Sequence, residues 1–137
     1  MLVENAVYPT GEALAALMAL PQDGPVVMLN LLKFKDKAVY KDGRATDLSG
    51  RDAYMLYGHL MSAFVAARGG KLRFSAPASA PVIGAVGEMW DVVALMEYPS
   101  PKAFVEIATA PEVAEFGVHR EAGLAGQLLI PCLTPQP

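Results

Sequence analysis

Several residue types and patterns are scarce in this chain, and each scarcity excludes something. There is one cysteine, Cys132, so neither an internal disulfide nor a paired-thiol metal site can form. His59 and His119 are the only histidines, and they form neither a close pair nor an HExxH pattern. Zinc or non-haem iron would therefore need ligands scattered along the chain. No cofactor is expected; haem, which needs a single axial His, stays open. Charged residues make up 18% of the chain, below the usual share of about a quarter, and the net charge is −3. Nucleic acids and anionic membranes call for clustered Lys and Arg, so neither partner is expected. No stretch reaches the roughly 18 uninterrupted apolar residues of a membrane span. Phosphate cradles of the GxxxxGK[ST] kind and GxSxG nucleophile elbows are also missing.

What is present is apolar residue, 53% of 137 positions. That length suits one domain, which would bury roughly two-thirds of the surface its unfolded chain exposes. The apolar excess suggests that part of the surface faces a second subunit. Near the start, ALAALMAL is short and preceded by Glu4 rather than Lys or Arg, unlike a secretion signal. Thr10 and Glu12 instead read as a helix start that Pro21 ends. With one cysteine and no targeting signal, the expected location is the cytoplasm.

From Gly24 the chain alternates strand-like and helix-like segments. VVMLNLLKF is a continuous apolar run of strand length, predicted as a central strand covered on both faces. Lys35 to Gly50 is charged, with a turn signal at Asp42-Gly43, and is predicted as a long mobile loop able to cover a pocket opening. Ser49 and Asp52 open a helix that Gly69 and Gly70 close. Its buried face is predicted to carry Tyr54, Tyr57, Met61 and Phe64, with Leu56, Leu60 and Ala67 on the adjoining arc. LRFSAPASAPVIGAV reads as an extended edge strand interrupted near Pro77 and Pro81. WDVVALMEY reads as a second central strand. Ser100-Pro101 starts a helix that Pro111 breaks in two, and LAGQLLIP is the last strand.

A helix followed by β-α-β-β-α-β is the ferredoxin-like pattern: an α+β fold with a four-stranded antiparallel sheet whose first and third strands pair in the middle. Residues 1–24 form an N-terminal helical extension, 25–131 the ferredoxin-like core and 132–137 a tail. Two helices cover one sheet face, yet both central strands are apolar on both faces. A second subunit's sheet is the economical cover, making a homodimeric α-β barrel.

Four segments, PVVMLNLLKF, SGRDAYMLYG, WDVVALMEYPSPKAF and TAPEVAEFGVHREAGL, resemble the bacterial domain-of-unknown-function 1330 family. The resemblance implies the dimeric α-β barrel architecture over Pro25 to Pro131 and no settled activity. Similar barrels include cofactor-free monooxygenases, lactone isomerases and haem enzymes, an analogy of fold rather than of site.

Polar residues in apolar places are the candidate site. Asn30 interrupts the first central strand, so either a ligand or a neighbouring protein group must bond its amide. Glu97 is a general base if partly buried, or a rim carboxylate paired with an Arg. His119 and Arg120 stand at the predicted entrance of the last strand. His119 is either a proton carrier or a capped surface group. Asn30 and the tyrosine hydroxyls, with Tyr54, Tyr57, Phe64 and Trp90 as walls and Arg120 nearby, describe a small-molecule pocket. They describe an ordinary core as well. Lys35, Lys37, Lys41 and Arg44 in the loop suggest a mild preference for anions. Two function classes follow. One is a small-molecule protein, whose catalytic version would be a cofactor-free isomerase or monooxygenase; the other is a non-catalytic binding or dimer-assembly module.

Overall fold

The computed structural model describes residues 2–133. The predicted tail beyond that lies outside the described residues. Eight elements follow in order: α1 (Gly11–Met18), β1 (Val26–Phe34), α2 (Gly50–Ala66), β2 (Lys71–Pro77), β3 (Val92–Tyr98), α3 (Pro101–Ala108), α4 (Pro111–Gly123) and β4 (Leu124–Leu133). The strands form one antiparallel sheet in the order β2-β3-β1-β4, with the two apolar runs in the middle. This is the ferredoxin-like arrangement.

Local chemistry explains most element boundaries. The Thr10, Ser49 and Ser100 side chains accept from the amides of Ala13, Asp52 and Ala103, each satisfying a helix-start donor. Pro101 and Pro111 occupy the first positions of α3 and α4, where a missing N–H costs nothing. Pro77 and Pro131 sit in β2 and β4, the two edge strands.

Alternation along β1 separates two faces. Val26, Met28 and Leu32 are buried against the helical layer, in clusters with Met61, Phe64 and Val65 of α2, Val113 of α4 and Leu17 of α1. None of the described helices covers the other face. There, register aligns Phe74, Leu95, Leu29 and Ile130 in one row across all four strands, and Ala76, Val93, Leu31 and Leu128 in the next.

Four expectations need correction. β2 ends at Pro77, and the following residues up to Asp91 form no strand, because Pro81, Gly84 and Gly87 leave no ladder to continue. Leu56 and Leu60 are 44% and 40% exposed, since α2 instead turns Gly50, Ala53 and Val65 inward. The charged loop is anchored: Ala38 and Tyr40 are buried with Ala53 and Ala122, and Val39 N–H donates to Ala122 O at 2.9 Å. Ala38 and Tyr40 do that anchoring within a stretch dominated by charged residues, and the mobile-lid expectation loses its basis. Lastly, His119 and Arg120 lie inside α4, which runs into β4 without a connecting loop.

Glycine explains that last junction. A Cβ on Gly123 would lie 2.1 Å from Gly50 O, and one on Gly50 would lie 2.0 Å from Lys35 O. Only backbone fits where α4 ends against the start of α2. The close crossing sets the last turn of α4 beside the first turns of α2.

Candidate ligand cavity

Between the helical layer and the sheet lies a cavity of about 1440 Å³, partly open to solvent. Met28, Asn30, Leu32, Ala94, Met96 and Gln127 form its floor. Tyr54, Tyr57 and Met61 of α2, Val113, Gly117 and Arg120 of α4, and Leu14 and Leu17 of α1 complete the walls. The N-terminal extension closes one side through Val7 and Tyr8. It is held there by a bridge between Ala6 and Gln127, whose backbone groups exchange hydrogen bonds at 3.2 and 2.9 Å.

A polar chain crosses this apolar floor. Asn30 Nδ2 donates to the carbonyls of Met28 and Ala94 at 3.1 and 3.3 Å, and its Oδ1 accepts from Gln127 Nε2 at 2.8 Å. Gln127 Oε1 accepts in turn from Arg120 Nη2 at 2.8 Å, and the same nitrogen donates to Val7 O. Protein groups therefore satisfy the Asn30 amide, and Gln127 links it to Arg120. Sequence reasoning misses Gln127, although it interrupts LAGQLLIP as Asn30 interrupts VVMLNLLKF. The same rule about polar residues in apolar runs would have found it.

The tyrosines behave differently. The Tyr54, Tyr57 and Tyr98 side chains line the cavity, and their hydroxyls make no hydrogen bond to any described residue. No buried side-chain oxygen or nitrogen is sealed off without a partner among the described residues, so these hydroxyls open onto the cavity space. Burial raises all three phenols above their ordinary range, while the Arg120 charge pulls Tyr54 and Tyr57 slightly the other way. At neutral pH they are uncharged hydrogen-bond donors.

The remaining predicted site residues lie elsewhere. Glu97 projects from the open sheet face and pairs with Arg73, whose Nη2 lies 2.7 Å from Oε1. His119 Nδ1 is 2.7 Å from the Tyr40 hydroxyl, and its ring packs edge-on against Tyr40. Neither residue lines the cavity, and no hydrogen bond or ion pair joins them among the described residues. Trp90 precedes β3 rather than opening it and donates its indole N–H to Asn5 at 2.7 Å, outside the cavity lining. Phe64 is likewise not a wall: it packs edge-on against Phe116 beneath Arg68. Among the loop cations, Arg44 pairs with Asp42, Lys41 pairs with Glu121, and Lys35 donates to the Glu121 carbonyl. Among the described residues no three His, Cys, Asp or Glu side chains come together as a metal cluster. None of the described helices is long and apolar enough to cross a membrane.

No family model matches the chain, and no curated protein matches it. Solved structures do. A protein with a ferredoxin-like fold from Mesorhizobium loti, described as a dabb family member, is 15% identical over 83% of this chain and 99% of its own, with a TM-score of 0.55, a likeness of fold alone. The methylated form of a protein called RPA0582 is 35% identical over 97% of both chains, with a TM-score of 0.85. RPA0582 itself, described as a protein of unknown function from Rhodopseudomonas palustris, is 33% identical over 98% of this chain and 100% of its own, at a TM-score of 0.84. At that identity and coverage, with the same fold from the N-terminal extension to the last strand, this chain belongs to the RPA0582 family.

Proposed function

We propose that this protein binds a small, largely apolar organic molecule in the cavity between its helical layer and its sheet. The observation that carries this reading is the cavity itself: apolar walls with a few polar groups converging on them, which is the usual make-up of a small-molecule site. Its volume of about 1440 Å³ exceeds the roughly 300–1,000 Å³ common for such sites, so a sizeable apolar body fits. Binding is favoured over cofactor-free isomerase or monooxygenase chemistry by the fate of the two proton-carrier candidates. His119 is engaged by Tyr40 and Glu97 by Arg73, and neither His119 nor Glu97 lines the cavity.

The test uses a neutral apolar compound, 2-naphthamide, titrated calorimetrically. One site per chain is expected in the parent protein. Ala94→Phe, which fills the middle of the floor, is expected to abolish binding without lowering the melting temperature appreciably. His119→Ala is expected to leave binding unchanged at a stability cost of about 1 kcal/mol. Equal binding to the parent and Ala94→Phe would put the compound elsewhere and overturn the reading.

The functional unit in this reading is a homodimer joined through the open sheet face. Support comes from the two apolar rows described above, in which Phe74 and Ile130 are 53% and 42% exposed. A contiguous apolar patch of that breadth on a lone chain marks an interaction surface. Membership of the domain-of-unknown-function 1330 family is also proposed, on the four segments quoted from the sequence.

A further inference from the structure

Arg120 is the polar feature of the cavity that its protein surroundings leave incomplete. A guanidinium has five N–H donors and is always charged. Nη2 donates to Val7 O and Gln127 Oε1, while Nε and Nη1 have no acceptor among the described residues. No described carboxylate pairs with it either. The sequence makes this unavoidable along its own helix. Positions three and four residues away, where a helical ion pair would form, are Phe116, Gly117, Gly123 and Leu124. Its neighbour Glu121 is taken by Lys41, at 3.0 Å, and by the Tyr8 hydroxyl.

A partly buried cation without a counter-ion is costly, and it is retained here in one place and orientation by the Asn30–Gln127 chain. Its charge reaches Tyr54 and Tyr57, whose hydroxyls also lack acceptors. Donors of one kind, charged and neutral, therefore line a cavity whose walls are mostly apolar, with Met28, Leu32, Met96, Leu17 and Val113 among them; of its lining carboxylates, Glu121 is paired with Lys41 and Asp42 with Arg44. What is missing is a single negative charge with acceptor oxygens. A carboxylate supplies that. A phosphate dianion would bring more charge than one guanidinium neutralises in an apolar setting.

We infer that the ligand is an apolar carboxylate, its carboxylate accepting from Arg120 and the tyrosine hydroxyls and its body lying along the methionine and leucine walls. This rests on the cavity being the ligand site and adds the chemical class. The test compares 2-naphthoate with 2-naphthamide, which have nearly the same shape and differ in charge, by calorimetry on the parent, Arg120→Gln and Arg120→Lys. A charge-assisted hydrogen bond is expected to favour the naphthoate by about 10- to 100-fold in the parent. Arg120→Gln is expected to erase the preference, and Arg120→Lys to retain part of it. Should Arg120→Gln fail to fold, the preference in the parent and its reduction in Arg120→Lys decide the matter. Equal affinity for both compounds in the parent, or a preference that survives Arg120→Gln, overturns the carboxylate while leaving the cavity as a site. Failure of both compounds to bind the parent overturns the two readings together.

Discussion

Gly123→Ala is expected to destabilise the protein by about 3 kcal/mol or more, the upper range for forcing an extra methyl into a packed contact. The added carbon would meet Gly50 O at 2.1 Å and Tyr54 N at 2.8 Å, both backbone atoms that cannot rotate aside. α4 and α2 would have to separate, and that same contact sets Arg120 near Tyr54. Gly117→Ala is the matched control. It lies in the same helix with nothing within 4 Å of where its methyl would stand, so it is expected to be neutral or stabilising by about 0.5–1 kcal/mol. Urea unfolding of the two variants separates steric necessity from helix propensity. Equal midpoints would show that the Gly50–Gly123 approach can relax freely.

Leu29→Asp is expected to convert a dimer into a monomer. Leu29 is central in the row Phe74, Leu95, Leu29, Ile130, so an isologous sheet-to-sheet interface would bury its substitute twice. Two like charges desolvated near a dyad should cost several kcal/mol, enough to shift the dissociation constant by about a thousandfold. Light scattering should give twice the 14.5 kDa chain mass for the parent and the single mass for the variant. A parent protein that is monomeric at micromolar concentration would overturn the interface.

The sequence made legible what local chemistry decides. β1 falls on VVMLNLLKF, and the Ser49, Ser100-Pro101 and Pro111 signals each start a helix where they stand. The strand order followed from the two doubly apolar runs. The misreadings came from contacts distant in sequence. The start of α4 is marked at Pro111 but its end beyond His119 is not, because Gly123 ends α4 by meeting Gly50, 73 positions earlier. The loop looks unanchored in the sequence because Ala38 and Tyr40 are buried by residues of α2 and α4. Around the cavity, Asn30, Tyr54, Tyr57 and Arg120 came from the sequence, whereas Gln127, Tyr98 and the N-terminal wall did not. The extension becomes a wall only once Ala6 pairs with Gln127, a contact between opposite ends of the chain. Glu97 falls outside the cavity for a simpler reason. Strand alternation sets it with Val93 and Leu95 on the open face, opposite Ala94 and Met96 of the cavity floor.

The cavity between the sheet and the helical layer is tested most directly by a crystal structure of the protein grown with 2-naphthoate. The expected result is density for the ring between Met28, Ala94 and Tyr57, with the carboxylate within hydrogen-bond distance of Arg120. Density on the row of Leu29 and Leu95 instead, or a cavity filled by the side chains of α1 with the compound absent, would contradict it.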